Sequence, residues 1–77
     1  MIKMERILID PKIMHGKPVI KGTRVPVDVI LGSLIGGMEY EEIEREYGVK
    51  RVDILAAIEY AATFVMGEKV RPLKMKI

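Results

Sequence analysis

The chain lacks cysteine altogether and contains no long hydrophobic run. Without cysteine, neither a disulfide framework nor a thiolate metal site can form. No apolar run approaches the roughly 20 residues that a membrane-spanning helix needs. Charged residues interrupt residues 1–10, so we do not expect a signal peptide. These absences predict a cytoplasmic protein.

The chain is also short, at 77 residues, so its core must be small. A domain of this size buries only about 60% of the surface that its unfolded chain exposes. A catalytic pocket of a few hundred cubic ångströms would consume much of that core, and we find no nucleophile–base pair or cluster of metal ligands. We therefore expect a binding module without a cofactor rather than an enzyme. We also expect a homodimer or higher oligomer, because association adds burial.

Charge is unevenly distributed along the chain, although the net charge is only +2. Residues 1–37 hold six Lys or Arg and three Asp or Glu, and residues 49–77 have the same balance. Between them, residues 38–48 hold five Glu and one Arg. The pattern permits contact with a polyanion along the basic parts but does not require it.

The order of local signals predicts an α+β domain that is mostly helical and occupies residues 1–77. Short apolar runs near residues 6–10 and 18–22 predict an antiparallel β-hairpin with a long loop. Apolar residues at three- and four-residue steps then predict three helices. Their expected inner positions are Val27, Ile30, Leu31, Leu34 and Ile35, then Met38, Ile43 and Tyr47, then Ile54, Ala57, Ile58, Ala61 and Val65.

The segment HGKPVIKGTRVPVDVI joins the hairpin to the first helix. A phosphate-binding loop would need a glycine-rich turn directly between a strand and a helix, whereas KGTR has one glycine. A strand, a turn at Gly22 and a helix opened by Pro26 fit better. We expect a positive φ or a tight backbone contact at Gly22. Thr23 and Arg24 should brace the strand against the helices, with a phosphate contact as the alternative.

A short acidic helix, a turn at Gly48 and a longer helix follow, which is the order of a helix-turn-helix. A helical hairpin packed for stability alone is the alternative. If the third helix enters the major groove, the residues that face the bases are Lys50, Arg51, Val52, Leu55, Ala56 and Glu59. Arg51 is the one good reader of guanine among them. The acidic second helix would repel phosphates, and the apolar residues suit a protein contact equally well.

Two single residues with reactive side chains have simpler explanations. His15 is the one histidine of the chain and lies in a loop, so we expect a surface residue rather than a metal ligand. Asp53 lies in the first turn of the third helix, where it should cap exposed backbone N–H groups. We therefore assign no catalytic residue and no metal site.

The last residues, 68–77, form a basic tail. Leu73, Met75 and Ile77 alternate with lysines, which predicts a strand that adds to a sheet edge of a second copy or of a partner. A mobile terminus with accidental alternation is the alternative.

The segments IDPKIMHGKPVIKGTRVPVDVIL, GMEYEEIEREYGV and DILAAIEYAA resemble a small prokaryotic family catalogued as a domain of unknown function, over about residues 7–62. Its motif, Gly-x-Pro-x-Ile-x-Gly-Thr-Arg-x-Pro-Val, corresponds to Gly16, Pro18, Ile20, Gly22, Thr23, Arg24, Pro26 and Val27. The resemblance implies a homeodomain-like helix-turn-helix fold. It also implies a dimeric, DNA-binding antitoxin of a type II toxin–antitoxin pair, which masks a PIN-like ribonuclease toxin and autoregulates its operon. Lys50 and Glu39 depart from the family, which has Ser or Thr caps there.

A second function remains open. The chain could serve as a protein-interaction or dimerisation module without affinity for DNA. The toxin and the operator cannot be named from the sequence.

Overall fold

The computed structural model describes residues 5–67 and residue 70, and the structural statements below refer to these. A two-stranded sheet of β1 (Ile7–Leu8) and β2 (Val19–Ile20) precedes three helices, α1 (Val27–Ile35), α2 (Tyr40–Tyr47) and α3 (Arg51–Met66). This arrangement confirms the predicted α+β class, with a short N-terminal hairpin followed by three helices. The predicted strand at Leu73, Met75 and Ile77 lies outside the described residues.

The hairpin is antiparallel, with Ile7 opposite Ile20 and Leu8 opposite Val19. Val19 and both isoleucines are buried, because they close one end of the space between the helices. The loop between the strands is long and contains a single 3-10 turn at Met14–Gly16. Adjacent side chains of a strand point to opposite faces, so the burial of both Val19 and Ile20 shows that β2 is covered on both sides.

Three consecutive residues of this loop adopt positive φ: Met14 at 51°, His15 at 57° and Gly16 at 84°. A left-handed conformation costs a residue other than glycine roughly 1–2 kcal/mol. Hydrogen bonds hold the loop in place, since the Asp10 carbonyl accepts from the Ile13 N–H at 2.8 Å and the Ile13 carbonyl accepts from the Gly16 N–H at 3.0 Å. His15 is exposed, as predicted.

Gly22 has a φ of +83°, which confirms the predicted positive φ. An added Cβ would meet nothing within 4 Å, so the requirement for glycine is conformational rather than steric. Thr23 closes the turn: its Oγ1 donates to the Ile20 carbonyl at 2.7 Å and accepts from the Val25 N–H at 3.0 Å. The Ile20 N–H donates to the Val25 carbonyl at 2.9 Å. This stretch therefore forms a rigid turn, and the side chain of Arg24 next to it is exposed.

Pro26 lies immediately before α1, and its carbonyl accepts from the Val29 N–H at 3.1 Å. The Val27 N–H, the first of the helix, donates to the Pro18 carbonyl at 2.9 Å. The two prolines thus bind the start of α1 to the hairpin. The helix ends before Gly36, and Gly37 has a positive φ of 92°.

The core lies between the hairpin and the three helices. Each helix contributes one fully buried isoleucine: Ile30, Ile43 and Ile54. The other buried apolar residues of the core are Ile7, Ile20, Val27, Val49, Ala56 and Ala57. None of the helices formed by the described residues is long and apolar enough to cross a membrane.

The predicted inner stripes of two helices extend too far. Ile35 was expected on the inner side of α1 but is 87% exposed, and Val65 was expected on that of α3 but is 86% exposed. Ile35 is the last residue of its helix and projects past the neighbouring helices. In α3, the buried residues stop at Ala57, because α1 and α2 have only nine and eight residues and cannot cover a helix of sixteen.

Candidate nucleic-acid interface

Helices α2 and α3 are joined by the three residues 48–50. Gly48 has the left-handed angles φ 68° and ψ 28°, and its N–H donates to the Glu44 carbonyl at 2.9 Å. Val49 is buried in the core, which holds the turn against the helices. The turn predicted at Gly48 is thereby confirmed, and it places the N-terminus of α3 at the surface beside α2.

Asp53 organises the first turn of α3. Its Oδ2 accepts from the Lys50 N–H at 2.9 Å, which confirms the predicted capping role. Its Oδ1 lies 3.0 Å from the guanidinium of Arg6, a partner 47 residues away. Asp53 is buried whereas about half of the Arg6 side chain is exposed. The carboxylate therefore fixes both the helix start and the arginine in front of β1.

Arg51 was expected to read bases, and the structure places its side chain on α2. Its Nε lies 3.0 Å from Glu44 Oε2, and its terminal nitrogen lies 3.6 Å from Glu41 Oε2. The guanidinium carbon lies 4.7 Å above the centre of the Tyr40 ring, a cation–π geometry. A base contact would require this side chain to leave three partners.

The exposed face at the start of α3 is largely apolar. Val52 and Leu55 are each about half exposed, whereas Ala56 is only 8% exposed and belongs to the core. Ala56 was expected to face the bases, but its position toward the hairpin leaves little of it accessible. A depression of about 220 Å³ runs along this face, lined by Glu5, Arg6, Val52, Leu55, Ala56 and Glu59.

Basic side chains gather around the same helix start. Lys50 is exposed immediately before α3. Arg6 is linked to the same position, because the Asp53 carboxylate accepts from both the Arg6 guanidinium and the Lys50 N–H. Lys21 lies opposite Arg6, since its N–H donates to the Arg6 carbonyl at 2.8 Å. Directly opposite residues of a hairpin project on the same face. Arg6 and Lys21 therefore share one face of the hairpin, and Arg6 links that face to the start of α3 through Asp53. We call Arg6, Lys21 and Lys50 the basic cluster.

The outer surface of α2 has the opposite charge. Glu39, Glu41, Glu42 and Glu46 are exposed there, and Glu39 starts the helix, with its N–H donating to Glu42 Oε1 at 2.7 Å. This hydrogen bond satisfies the N–H of the N-cap residue, which is the half of a capping box that the N3 glutamate supplies. The acidic surface and the basic cluster flank the same turn.

The described residues contain no group of three or more His, Cys, Asp or Glu that could hold a metal ion. The motif positions Gly16, Pro18, Gly22, Thr23 and Pro26 all lie in the hairpin and its junction with α1, where they fix backbone geometry. Sequence reasoning missed Arg6 and Lys21, because only the register of the hairpin brings them to α3.

A family model described as a protein of unknown function, DUF433, matches residues 7–61. The chain belongs to this family. The match confirms the resemblance to a domain of unknown function, and its bounds agree with the hairpin and most of the helical unit.

Two individual proteins are similar to the chain. An uncharacterized protein of Archaeoglobus fulgidus is 72% identical over 25 residues, which cover 32% of this chain and 69% of that protein. The crystal structure of Rv2018 from Mycobacterium tuberculosis aligns with a TM-score of 0.62 and 31% identity, covering 68% of this chain and 24% of that one. The chain thus spans about a quarter of the length of the mycobacterial protein.

Proposed function

We propose that this domain is the antitoxin-like, DNA-binding member of a type II toxin–antitoxin pair. In this role it neutralises a PIN-like ribonuclease and autoregulates its operon. The observation that carries the proposal is the sequence of α2, the Gly48 turn and α3, which has the lengths and order of a DNA-binding helix-turn-helix. The exposed side of the first half of α3, around Val52 and Leu55, is the recognition surface in this proposal.

The basic cluster supports the DNA contact. Arg6 and Lys21 lie on the hairpin and Lys50 lies immediately before α3, so we expect them to contact phosphates beside the groove that the helix enters. Phosphate contacts of this kind fix the position of a protein on the duplex. The acidic surface of α2 repels phosphates, so α3 enters by its N-terminal end, with α2 tilted away from the backbone.

A protein-interaction module without affinity for DNA is the second candidate. It is favoured by Arg51, which is held by Glu44 and Glu41, and by the exposed apolar pair Val52 and Leu55. The two functions differ in one measurable respect. Only the DNA-binding function requires an affinity for DNA that falls steeply as the salt concentration rises, because binding releases counterions from the DNA.

The test is a titration of the protein with its own upstream DNA at several salt concentrations. Lys50→Ala should weaken binding and lower the salt slope by about one unit. Lys17→Ala is the matched control, since Lys17 pairs with Asp28 at the start of α1, 2.8 Å away, and lies outside the basic cluster. Equal effects of the two variants, or salt-independent binding by the unmodified protein, would favour the second candidate.

A further inference from the structure

Residues 60–66, the last seven of α3, carry no charge. The segment YAATFVMG, residues 60–67, contains no Asp, Glu, Lys or Arg, and Phe64, Val65 and Met66 within it are exposed, the first by 76%. A helix that is apolar around its whole circumference is normally buried. Monomeric soluble proteins rarely expose a contiguous apolar patch of more than a few hundred square ångströms. This end of α3 therefore requires a cover that the described residues do not supply.

An apolar groove lies beside the segment. Its volume is about 220 Å³, and its apolar lining consists of Pro18, Val27, Leu31, Tyr60, Ala61 and Phe64. The rings of Tyr60 and Phe64 meet edge to face, with centroids 5.4 Å apart, so they form one continuous wall. Phe64 and Val65 lie three and four residues after Ala61, so each is a neighbour of Ala61 on the helix surface. The exposed segment and the groove thus form one continuous surface.

The charges at the rim of the groove balance. Lys17 Nζ lies 2.8 Å from Asp28 Oδ2, and both side chains are exposed. A surface with no net charge gives no attraction to nucleic acid, and it offers nothing for a strongly charged partner to recognise. A second copy of the same surface meets it without like-charge repulsion, and each lysine then faces an aspartate of either copy.

We propose that the groove and the uncharged end of α3 form a twofold interface between two copies of this chain. In such an interface the same patch serves both partners. The helices cross at Ala61, whose small side chain permits close approach, and Phe64 and Val65 of each copy cover the groove of the other. The interface leaves the start of α3 free and does not depend on DNA binding or on a toxin.

Sedimentation equilibrium of the purified chain tests the proposal directly. We expect a mass of twice the 8.7 kDa chain and a dimer dissociation constant that Phe64→Glu raises by at least about tenfold. Ile35→Glu is the matched control, because Ile35 is 87% exposed at the opposite end of α1 from the groove. It should change the constant by less than about twofold.

A second measurement remains decisive if Phe64→Glu disturbs folding. In a mixture of isotope-labelled and unlabelled chains, isotope-filtered NOE spectra should show contacts of the Phe64 ring with Leu31 methyl groups of the other copy. A monomer at all accessible concentrations, a dimer without these contacts, or equal weakening by both glutamate variants would overturn the proposal. A monomer whose patch is covered by its own residues 68–77 or by another protein would overturn it equally.

Discussion

Arg51 and Glu44 form an ion pair across the Gly48 turn, with Nε and Oε2 3.0 Å apart. The pair links Arg51, the first residue of α3, to α2. It therefore holds the guanidinium against α2 rather than at the exposed N-terminus of α3. Both side chains retain contact with solvent, and partly exposed pairs of this kind typically contribute about 0.2–1 kcal/mol. If the domain binds DNA as proposed, Glu44 acts as a weak brake, because Arg51 must leave this pair before it contacts a base.

Removing the charge of Glu44 should release that brake. We expect Glu44→Gln to strengthen binding to upstream DNA by up to about fivefold, because the nearest of the three partners that hold Arg51 loses its charge. Glu46→Gln is the control, since it removes the same charge from the exposed surface of α2 at a position that makes no ion pair among the described residues. Fluorescence anisotropy at fixed salt measures both, and identical gains would show that only net charge matters.

Gly22 should be intolerant of side chains although space surrounds it. Gly22→Val should lower the free energy of unfolding by more than about 1 kcal/mol, because φ is +83° there and a β-branched residue avoids that region. Gly32, inside α1, also has an open Cβ position but no positive φ, so Gly32→Ala should be neutral or stabilising. Urea denaturation of the two variants provides the comparison. An unchanged midpoint for Gly22→Val would make this turn incidental.

Asp53 should contribute to stability through two partners. Asp53→Ala removes the acceptor for the Lys50 N–H and the partner of Arg6, and we expect a loss of about 1–2 kcal/mol. Asp53→Asn keeps a neutral acceptor and should lose less. Asp28→Ala breaks a pair in which both side chains are more than half exposed, and it should cost less than about 1 kcal/mol. Thermal unfolding ranks the three variants, and an Asp28 effect as large as that of Asp53 would contradict the assignment.

Deleting residues 68–77 tests the predicted partner strand of Leu73, Met75 and Ile77. An end strand gains stability by joining the sheet edge of another chain. We expect the shortened protein to fail to capture its nuclease partner while it still dimerises through α3. Calorimetry for capture and sedimentation for dimerisation separate the two effects. Capture with full affinity would show that the tail is not an interaction strand.

Local patterns in the sequence predicted most of the fold. The hairpin, the three helices and the turns at Gly22 and Gly48 each depend on residues close together in the chain, where periodicity and glycine are informative. The backbone of Met14 and His15 was not predicted, because neither residue type signals a positive φ. Only the long-range geometry of the loop imposes it.

The candidate site was predicted less well. It depends on contacts between residues far apart in the sequence and on how much of α3 the other helices cover. The contact of Arg6 with Asp53 spans 47 positions, and no local pattern announces it. Ala56 was expected to face the bases and Val65 to belong to the inner stripe, yet the first is buried and the second exposed. The apolar periodicity of α3 continues past the point where α1 and α2 end. Periodicity predicts which residues share an apolar face, but it does not predict which element packs against that face.

The antitoxin proposal is tested most directly by ribonuclease activity. The product of the reading frame adjacent to this gene would be purified and its cleavage of RNA followed while this protein is added in increasing amounts. The proposal predicts that cleavage falls to background near one equivalent, and that albumin at the same concentration has no effect. Full cleavage in the presence of a large excess of the folded protein would contradict it.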